Sequence, residues 1–427
     1  MQLRLISLMG LVVFVALAWA CSANRPRFPW RTVLWGLGLQ FAFALLMLKT
    51  AGGQALFALA GAAITKLNEF ANEGCQFVFG PLASQAQMQR AFAEGSVIFA
   101  VVVTGTIILV SALSSLLYHW GLLQKLVRAI AWVMRRAMGT SGSETLCCAA
   151  NIFMGQTEAP LLVRPYIERM TRSELLCMMT GGMATIAGGV AAVYARLGAE
   201  AGHPDMAGHL LTASVLNAPA ALLIAKILVP ETEPSETAGR APAEVPRTTT
   251  NSLEALCRGA SDGMLLAINV LAMLIAFVAV VALANFLLTA PQVHILKQLG
   301  GAAANFQPVT FQTLVGWLNA PFAWLMGVPA PDCAAVGRVL GERIVLNEFI
   351  GYVSLSKLAP SLHPRSFTLA TYALCGFANL TSIAIQVGGI GSLAPSRRAD
   401  MARLGFRAML GGVLATYLSA TVVGIVW

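Results

Sequence analysis

NIFMGQTEAP, residues 151–160, is the stretch on which the expected fold depends, because it places a carboxylate and an amide among apolar neighbours. An ionisable residue inside a membrane segment usually faces a cavity or a partner, since lipid cannot solvate its charge. Gly155 and Pro160 weaken or end helices, and so free backbone groups that another part of the protein or a ligand must satisfy. The stretch therefore predicts part of a substrate or ion pathway.

The composition of the whole chain is that of a polytopic membrane protein. Of its 427 residues, 57% are hydrophobic and 11% are charged, and the mean hydropathy is +0.72. The net charge of +9 does not indicate nucleic-acid binding, because the basic residues lie between apolar runs and not in one patch. The eight cysteines include no CxxC pair, so we expect them to be buried small apolar residues.

Charge-free apolar runs predict eight transmembrane helices, since about twenty such residues cross a bilayer. The runs cover residues 5–24, 32–48, 95–118, 175–195, 206–225, 263–296, 366–396 and 408–427. The first run precedes Cys21 in the manner of a signal peptide, but we expect it to remain as an uncleaved span. Lys and Arg concentrate on the cytoplasmic side of membrane proteins. Placing both termini outside puts 18 of the 28 basic residues inside, so this orientation is predicted.

The opening stretch does not fit as an ordinary crossing. Residues 145–163 are preceded by Arg135 and Arg136 and followed by Arg164, and the predicted orientation puts all three in the cytoplasm. The segment must then enter the membrane and return on the same side, as a re-entrant hairpin. Irregular backbone at that depth is tolerated only where it lines a cavity or is covered by protein.

A second re-entrant hairpin is predicted in residues 311–358. These residues lie between an outward crossing and an inward one, so the hairpin would enter the membrane from the outer side. Its arms are expected to be the apolar parts Phe311 to Met326 and Val345 to Leu358. Asn347 and Glu348 would then occupy the place that Thr157 and Glu158 have in the first hairpin.

The two halves of the chain share a plan, which is typical of inverted repeats. TIAGG at residues 185–189 interrupts one span, and SIAIQVGG at residues 382–389 interrupts another. Paired spans broken by glycine mark the midplane binding site of many transporters. The plan divides the chain into N-terminal spans, a first repeat, a hydrophilic linker, one further span and a second repeat: 1–120, 121–229, 230–252, 253–296 and 297–427. The linker is rich in Pro, Thr and Glu, and we expect it to be a flexible cytoplasmic connection.

Acids and amides of the broken segments predict the kind of ligand. Together they suit a neutral molecule with many hydroxyl and N–H groups better than an anion. The carboxylates are those of Glu158 and Glu348, and the neutral groups are those of Asn151, Gln156, Thr157, Asn379, Ser382 and Gln386. A structural reading stays open, because such amides often only join helices and Glu348 could pair with Arg338 or Arg343.

A cation site is also plausible beside the first hairpin. Asn151 and Met154 precede the break at Gly155, and freed carbonyls with a hydroxyl can replace the water around Na⁺. The hydroxyl of Thr185 and the carbonyl of Ile186 would close this site if the hairpin packs against the broken span.

Two other classes of protein are disfavoured. The chain has no GxSxG, HExxH or Walker sequence, so an intramembrane enzyme lacks a recognisable catalytic group. A channel would need a continuous polar pore lining, which the mostly apolar spans do not offer.

Four motifs of the chain resemble the concentrative nucleoside transporters. They are GQTEAP at 155–160, TGGMATIAGG at 180–189, LNEF at 346–349 and CGFANLTSIAIQVGGIGSLAPSRR at 375–398. The likeness covers roughly residues 90 to 427, and it implies an all-α symporter of the bacterial inner membrane that is not an enzyme. It also implies a homotrimer in the lipid bilayer, eight crossings, two re-entrant hairpins, an interfacial amphipathic helix, and an elevator-like movement of a transport domain against a scaffold. The apolar run 50–65, which leads into an amphipathic end, does not fit as an ordinary crossing, and the interfacial helix is expected within residues 1–120.

The resemblance further implies which residues bind the nucleoside and which bind the coupling ion. The nucleobase would contact Gln156, Thr157, Glu158 and Val190, and the ribose would contact Glu348, Asn379 and Ser382, with Phe377 lining the same pocket. Sodium would be bound by the side chains of Asn151 and Thr185 and by the carbonyls of Met154 and Ile186. No organic cofactor is implied.

The coupling ion and the preferred nucleoside are less closely determined. The family has proton-coupled members, and the pattern here is closer to the sodium-coupled ones. Thr185, however, stands where serine is common, so proton coupling stays the alternative. The sequence does not separate uridine-like from purine nucleosides.

Overall fold

The structure is a computed structural model that describes residues 2–84, 87–88, 98–238, 249–299 and 308–427. Over these residues the chain is helical and contains no strand. The helices are α1 Gln2–Ala20, α2 Trp30–Lys49, α3 Ala51–Phe79, α4 Phe99–His119, α5 Leu122–Met138, α6 Gly142–Ala150, α7 Arg164–Ile167, α8 Arg172–Ala184, α9 Gly188–Glu200, α10 Met206–Leu228, α11 Ser252–Leu299, α12 Phe311–Leu325, α13 Cys333–Val345, α14 Glu348–Leu358, α15 Pro364–Leu374, α16 Leu380–Leu393 and α17 Arg398–Val426.

Seven helical segments of the described residues are long and apolar enough to cross a bilayer. They are Gln2–Ala20, Trp30–Lys49, Ala100–His119, Arg172–Glu200, Met206–Leu228, Ser252–His294 and Pro395–Val426. The predicted crossing at 366–396 is divided between α15 and α16, and neither helix alone reaches the length of a span. The all-α polytopic membrane class is confirmed, and the count of eight crossings stays a prediction.

The first hairpin folds as the sequence indicates. Ser141 and Glu144 form a capping box that begins α6. After α6 the chain turns through residues 151–158, and the 3-10 turn Ala159–Val163 packs back against α6. Gly155 therefore lies in the turn between the arms, and Pro160 lies at the start of the second arm.

The second hairpin differs from the predicted one in its first arm. Its arms are α13 and α14, which pack together and meet at Leu346 and Asn347. The expected arm Phe311 to Met326 is instead the separate helix α12, which packs along α13. The prediction was wrong because α13 carries charged residues and so does not appear as an apolar run. Two of them, Glu342 and Arg343, are nevertheless buried.

The element order of the first half recurs in the second half. Each half has a long helix, a shorter helix, a hairpin, a broken helix pair and a closing helix: α4 to α10 in the first and α11 to α17 in the second. The broken pairs are α8 with α9, interrupted at 185–187, and α15 with α16, interrupted at 375–379. The helix α5 is strongly amphipathic, since it buries Val127, Ala131, Met134 and Met138 along one face.

The centre of the bundle consists of the broken pair α8 and α9, with α10 and α17 packed around it and α15 packed on those two helices. The long helix α11 is mostly exposed and packs chiefly along α4. At their crossing, a Cβ on Gly259 would lie 2.6 Å from Ser115 Cβ, and one on Gly263 would lie 2.8 Å from Ile108 Cα. Small residues here let the two backbones approach closely.

All eight cysteines are free thiols, and six of them are buried as predicted. Cys21 and Cys257 are exposed, so the prediction was wrong for these two. Cys21 follows α1, and Cys257 lies on the exposed helix α11. An apolar run in a membrane protein can face lipid as well as protein, and the sequence alone does not separate these cases.

Part of the hydrophilic linker, expected to be flexible, is bound to the bundle. Thr237 O accepts from Gly142 N at 3.0 Å, and Glu231 Oε2 lies 3.0 Å from Lys226 Nζ. Lys226 also lies 2.9 Å from Glu144 Oε2, and both of these residues are buried. Residues 230–238 thus cover the start of the first hairpin, and residues 239–248 lie outside the described part of the chain.

Candidate functional site

The tip of the first hairpin is hydrogen-bonded to the second broken pair. Gln156 Nε2 donates to Ser382 Oγ at 3.2 Å. Gln386 Nε2 donates to Gln156 Oε1 at 3.1 Å and to Met179 O at 3.0 Å. Gln156, Ser382 and Gln386 are all buried, so these contacts hold the amides in fixed orientations.

Glycines allow this close approach of hairpin and helices. A Cβ on Gly389 would lie 2.8 Å from Thr157 Cγ2. A Cβ on Gly182 would lie 2.8 Å from Gln386 Nε2 and 2.9 Å from Gln156 Cβ. These distances are shorter than van der Waals contact, so only glycine fits without displacement of the hairpin.

The acid of the second hairpin is held from both broken pairs. Glu348 begins α14, where Asn347 Oδ1 caps the helix by accepting from Ile350 N at 3.0 Å. Tyr194 Oη donates to Glu348 Oε1 at 2.9 Å, and Asn379 Nδ2 donates to Glu348 Oε2 at 3.1 Å. Tyr194 lies on α9 and Asn379 caps α16, so the carboxylate connects the two halves of the chain.

The acid of the first hairpin has a different environment. Glu158 Oε2 accepts from Gly155 N at 3.1 Å, and this contact lies within the hairpin itself. The residue is exposed, whereas Glu348 is buried. One carboxylate is therefore fixed by its neighbours, and the other is accessible to a ligand.

One polar chain connects the two groups. Asn379 Oδ1 accepts from Ser382 N at 2.8 Å, and Ser382 in turn accepts from Gln156. The chain runs from Gln156 through Ser382 and Asn379 to Glu348. The structure thus brings together four of the eight residues implied for the nucleoside. Of the others, Thr157 packs at Gly389, Glu158 stays within its hairpin, Val190 is buried on α9, and Phe377 is partly buried.

The residues implied for the cation lie on segments that touch. Gly188 N donates to Phe153 O at 3.3 Å, so the first hairpin packs against the break between α8 and α9. Asn151 is fully buried, and its Oδ1 has no hydrogen-bond partner among the described residues. Thr185 is also buried, and its hydroxyl donates to Gly181 O at 2.9 Å. A buried oxygen without a donor fits a cation ligand.

Among the described residues, Glu348 has no salt bridge to either of the two arginines that the sequence offers as partners. Arg338 Nε lies 3.1 Å from Glu342 Oε1, on the same helix. Arg343 donates to Ala373 O at 2.7 Å and to Thr416 Oγ1 at 2.8 Å. Neither arginine forms a salt bridge with Glu348 in the described part of the chain.

The sequence reasoning missed one residue of this site, Tyr194. A tyrosine in an apolar run normally indicates packing, and its single hydroxyl gives no motif. The available signal was its position four residues after Val190, which places both on the same face of a helix.

Comparison with known proteins identifies the family of the chain. Family models match residues 209–424 as the C-terminus and residues 9–82 as the N-terminus of Na⁺ dependent nucleoside transporters. A further model, described as nucleoside recognition, matches residues 100–201. An uncharacterized transporter of Haemophilus influenzae is 41% identical over 98% of this chain and 97% of its own length. The chain belongs to the concentrative nucleoside transporter family.

Other members of the family confirm the extent of the likeness. The sodium/nucleoside cotransporter 2 of Rattus norvegicus is 37% identical over 99% of this chain, which spans 63% of that longer protein. The solved structure of CNTnw in an inward-facing, substrate-bound state is 37% identical and superposes with a TM-score of 0.88, covering 99% of this chain and 97% of that one. This protein is thus a membrane-embedded nucleoside transporter, and its family is one of transporters and not of enzymes.

Proposed function

We propose that this transporter imports nucleosides together with Na⁺ across a bacterial inner membrane. The observation that carries the proposal is the buried polar chain from Gln156 through Ser382 and Asn379 to Glu348. It joins both hairpins to a broken helix pair, and such breaks are where transporters of this kind bind their substrates. Its amides, hydroxyl and carboxylate match a neutral ligand that carries many hydroxyl and N–H groups.

The nucleobase binds at the first hairpin and the ribose at the second. Gln156, Thr157 and Glu158 meet the base, and Val190 packs beside it. The ribose hydroxyls donate to Glu348 and bond with Asn379 and Ser382, while Phe377 lines the pocket. A carboxylate has about four lone-pair positions. Tyr194 and Asn379 use two of those on Glu348, so two remain for the sugar.

The coupling ion binds next to the first hairpin. Asn151 Oδ1, the Thr185 hydroxyl and the carbonyls of Met154 and Ile186 supply oxygen ligands, which suit Na⁺. The buried Asn151 oxygen without a donor supports this assignment. Binding there would hold the hairpin against the broken pair α8 and α9. The ion would therefore fix the position of the hairpin residues that contact the nucleobase.

Movement of the site follows an elevator-like mechanism. The helices α11 and α4 act as the scaffold, because α11 packs chiefly on α4 and is otherwise mostly exposed. Its exposed apolar surface is available to lipid and to other copies in a homotrimer. Both termini lie on the periplasmic side.

Uptake of radiolabelled uridine into proteoliposomes tests the proposed function. We expect saturable uptake that requires an inward Na⁺ gradient and returns unmodified uridine. Uptake driven by a pH gradient in Na⁺-free buffer would instead establish the proton-coupled alternative. A panel of competing purine and pyrimidine nucleosides in the same assay determines the preferred substrate.

Thr185→Val is expected to raise the Na⁺ concentration for half-maximal uptake severalfold, because valine keeps the shape of threonine but removes the oxygen ligand. Thr180→Val is the matched control. Thr180 lies on α8, the helix that Thr185 directly follows, it is fully buried, and its hydroxyl has no hydrogen-bond partner among the described residues. An unchanged Na⁺ dependence in Thr185→Val would place the ion elsewhere.

Gly389→Ala is expected to lower the rate of uridine uptake severalfold, because its methyl group would meet Thr157 at 2.8 Å. Overpacking of this kind costs about 1–3 kcal/mol when neighbours must shift. The adjacent Gly388→Ala variant is the control, since a Cβ there meets no atom of the described residues within 4 Å. Equal uptake by the two variants would show that Thr157 does not need its observed position.

A further inference from the structure

Tyr194 lies outside the four motifs that the chain shares with its family, yet it contacts a residue of the site. The residue is fully buried, and its hydroxyl donates to Glu348 Oε1 at 2.9 Å. It lies one helical turn after Val190 on α9, beyond the break at residues 185–187. The first broken pair thus reaches across the site to the acid of the second hairpin.

The ring of Tyr194 is held by two neighbours on α14. It stacks on Tyr352 with ring centroids 4.2 Å apart and an interplanar angle of 25°. Phe349 meets it at 5.6 Å and 68°. These contacts fix the ring, and so hold the hydroxyl oxygen within hydrogen-bond distance of Glu348 Oε1.

The two donors to Glu348 come from different halves of the chain. Tyr194 donates to one carboxylate oxygen and Asn379 donates to the other. Two donors at separate oxygens set the plane of the carboxylate, which a single donor does not. The remaining lone pairs of the Glu348 carboxylate therefore have a fixed direction before a ligand binds. This preorganisation reduces the entropic cost of binding.

We propose that Tyr194 is a positioning residue, which orients the Glu348 carboxylate so that it accepts hydrogen bonds from the ribose of a nucleoside. This inference rests on the proposed function, because it assigns the ribose to Glu348. Without the hydroxyl, Glu348 Oε1 loses a donor and the carboxylate turns more freely. The loss of orientation weakens the contacts of Glu348 with the ribose and leaves the contacts of the first hairpin with the nucleobase unchanged.

Tyr194→Phe tests the inference in the uptake assay with full-length protein. We expect the KM for uridine to rise roughly 3- to 10-fold, as for loss of one buried hydrogen bond, while Vmax changes little. Tyr352→Phe is the matched control, because Tyr352 is equally buried, belongs to the same stack and donates to Thr371 O at 2.9 Å. Its KM for uridine is expected to match that of the wild type.

Substrate analogues separate positioning from a general structural effect. The rise in KM caused by Tyr194→Phe should shrink for 2′-deoxyuridine or 3′-deoxyuridine, whichever lacks the hydroxyl that Glu348 accepts. Combined with Glu348→Gln, Tyr194→Phe should add no further loss of uridine binding in calorimetry. Calorimetry also applies if the variant is too unstable for reconstitution.

Three results would overturn the inference while the proposed function stands. The two tyrosine variants could change KM equally, the rise could be the same for uridine and both deoxy analogues, or the losses could add fully in the double variant. Absence of nucleoside uptake by the wild type is a different outcome. It would remove the proposed function, and the inference would fall with it.

Discussion

Uridine binding is expected to weaken roughly 10- to 150-fold in the Glu348→Gln variant, because a hydrogen bond to a charged group contributes about 1.5–3 kcal/mol. Glu348 is buried and accepts from Tyr194 and Asn379. A glutamine keeps the size of the side chain but removes the charge and places an NH₂ group among donors. Isothermal titration of purified protein with uridine measures the loss directly.

Glu342→Gln is the control for this experiment. Glu342 is a buried acid on the other arm of the same hairpin, and it pairs with Arg338 at 3.1 Å. Its replacement removes an equal charge without touching the polar chain, so uridine affinity should be retained. If Glu348→Gln binds uridine as tightly as the wild type, the sugar does not lie at Glu348.

Lys226→Met is expected to destabilise the protein by about 3–5 kcal/mol, because it leaves a buried carboxylate without its cation. The side chain of Glu144 is fully buried, and its Oε2 lies 2.9 Å from Lys226 Nζ. Lys226 also donates to Ser173 Oγ at 3.0 Å and pairs with Glu231. The melting temperature of the detergent-solubilised protein should therefore be lower than that of the wild type.

Two further variants identify the cause of that loss. Lys226→Met combined with Glu144→Gln removes the uncompensated charge, so part of the stability should return. Lys66→Met removes the Lys66 pair with Glu69, which is exposed, and should hardly change the melting temperature. If Lys226→Met alone has the same melting temperature as the wild type, the ion pair between Lys226 and Glu144 does not stabilise the protein.

Much of the candidate site was predictable from local sequence. Gln156, Asn379 and Ser382 were recognised because polar groups in apolar runs need partners and because glycine and proline interrupt helices around them. The structure links these residues to Glu348 in one chain of hydrogen bonds. Their assignment to the base, the ribose and the ion stays a proposal that the variants above test.

Other features could not be read from hydropathy. The helix α13 does not appear as an apolar hairpin arm because it carries Arg338, Glu342 and Arg343, yet the last two are buried. Glu342 pairs with Arg338 on the same helix, and Arg343 donates to Ala373 and Thr416 on other parts of the chain. The linker residues 230–238 were expected to be free, yet they meet Glu144 through Lys226 and cover the start of α6. Arg343 and Lys226 thus have partners that lie far from them in the sequence, Thr416 and Glu144.

The membrane class, the broken helices and the polar character of the site are predictable from the amino-acid sequence, because each follows from composition or from the local effect of glycine and proline on the backbone. That Tyr194 and Asn379 share Glu348, and that Lys226 pairs with Glu144, is seen only once the helices are packed together. The physical reason is that a buried polar group takes whichever partner the packing of remote helices brings within about 3 Å, and no local pattern encodes that choice.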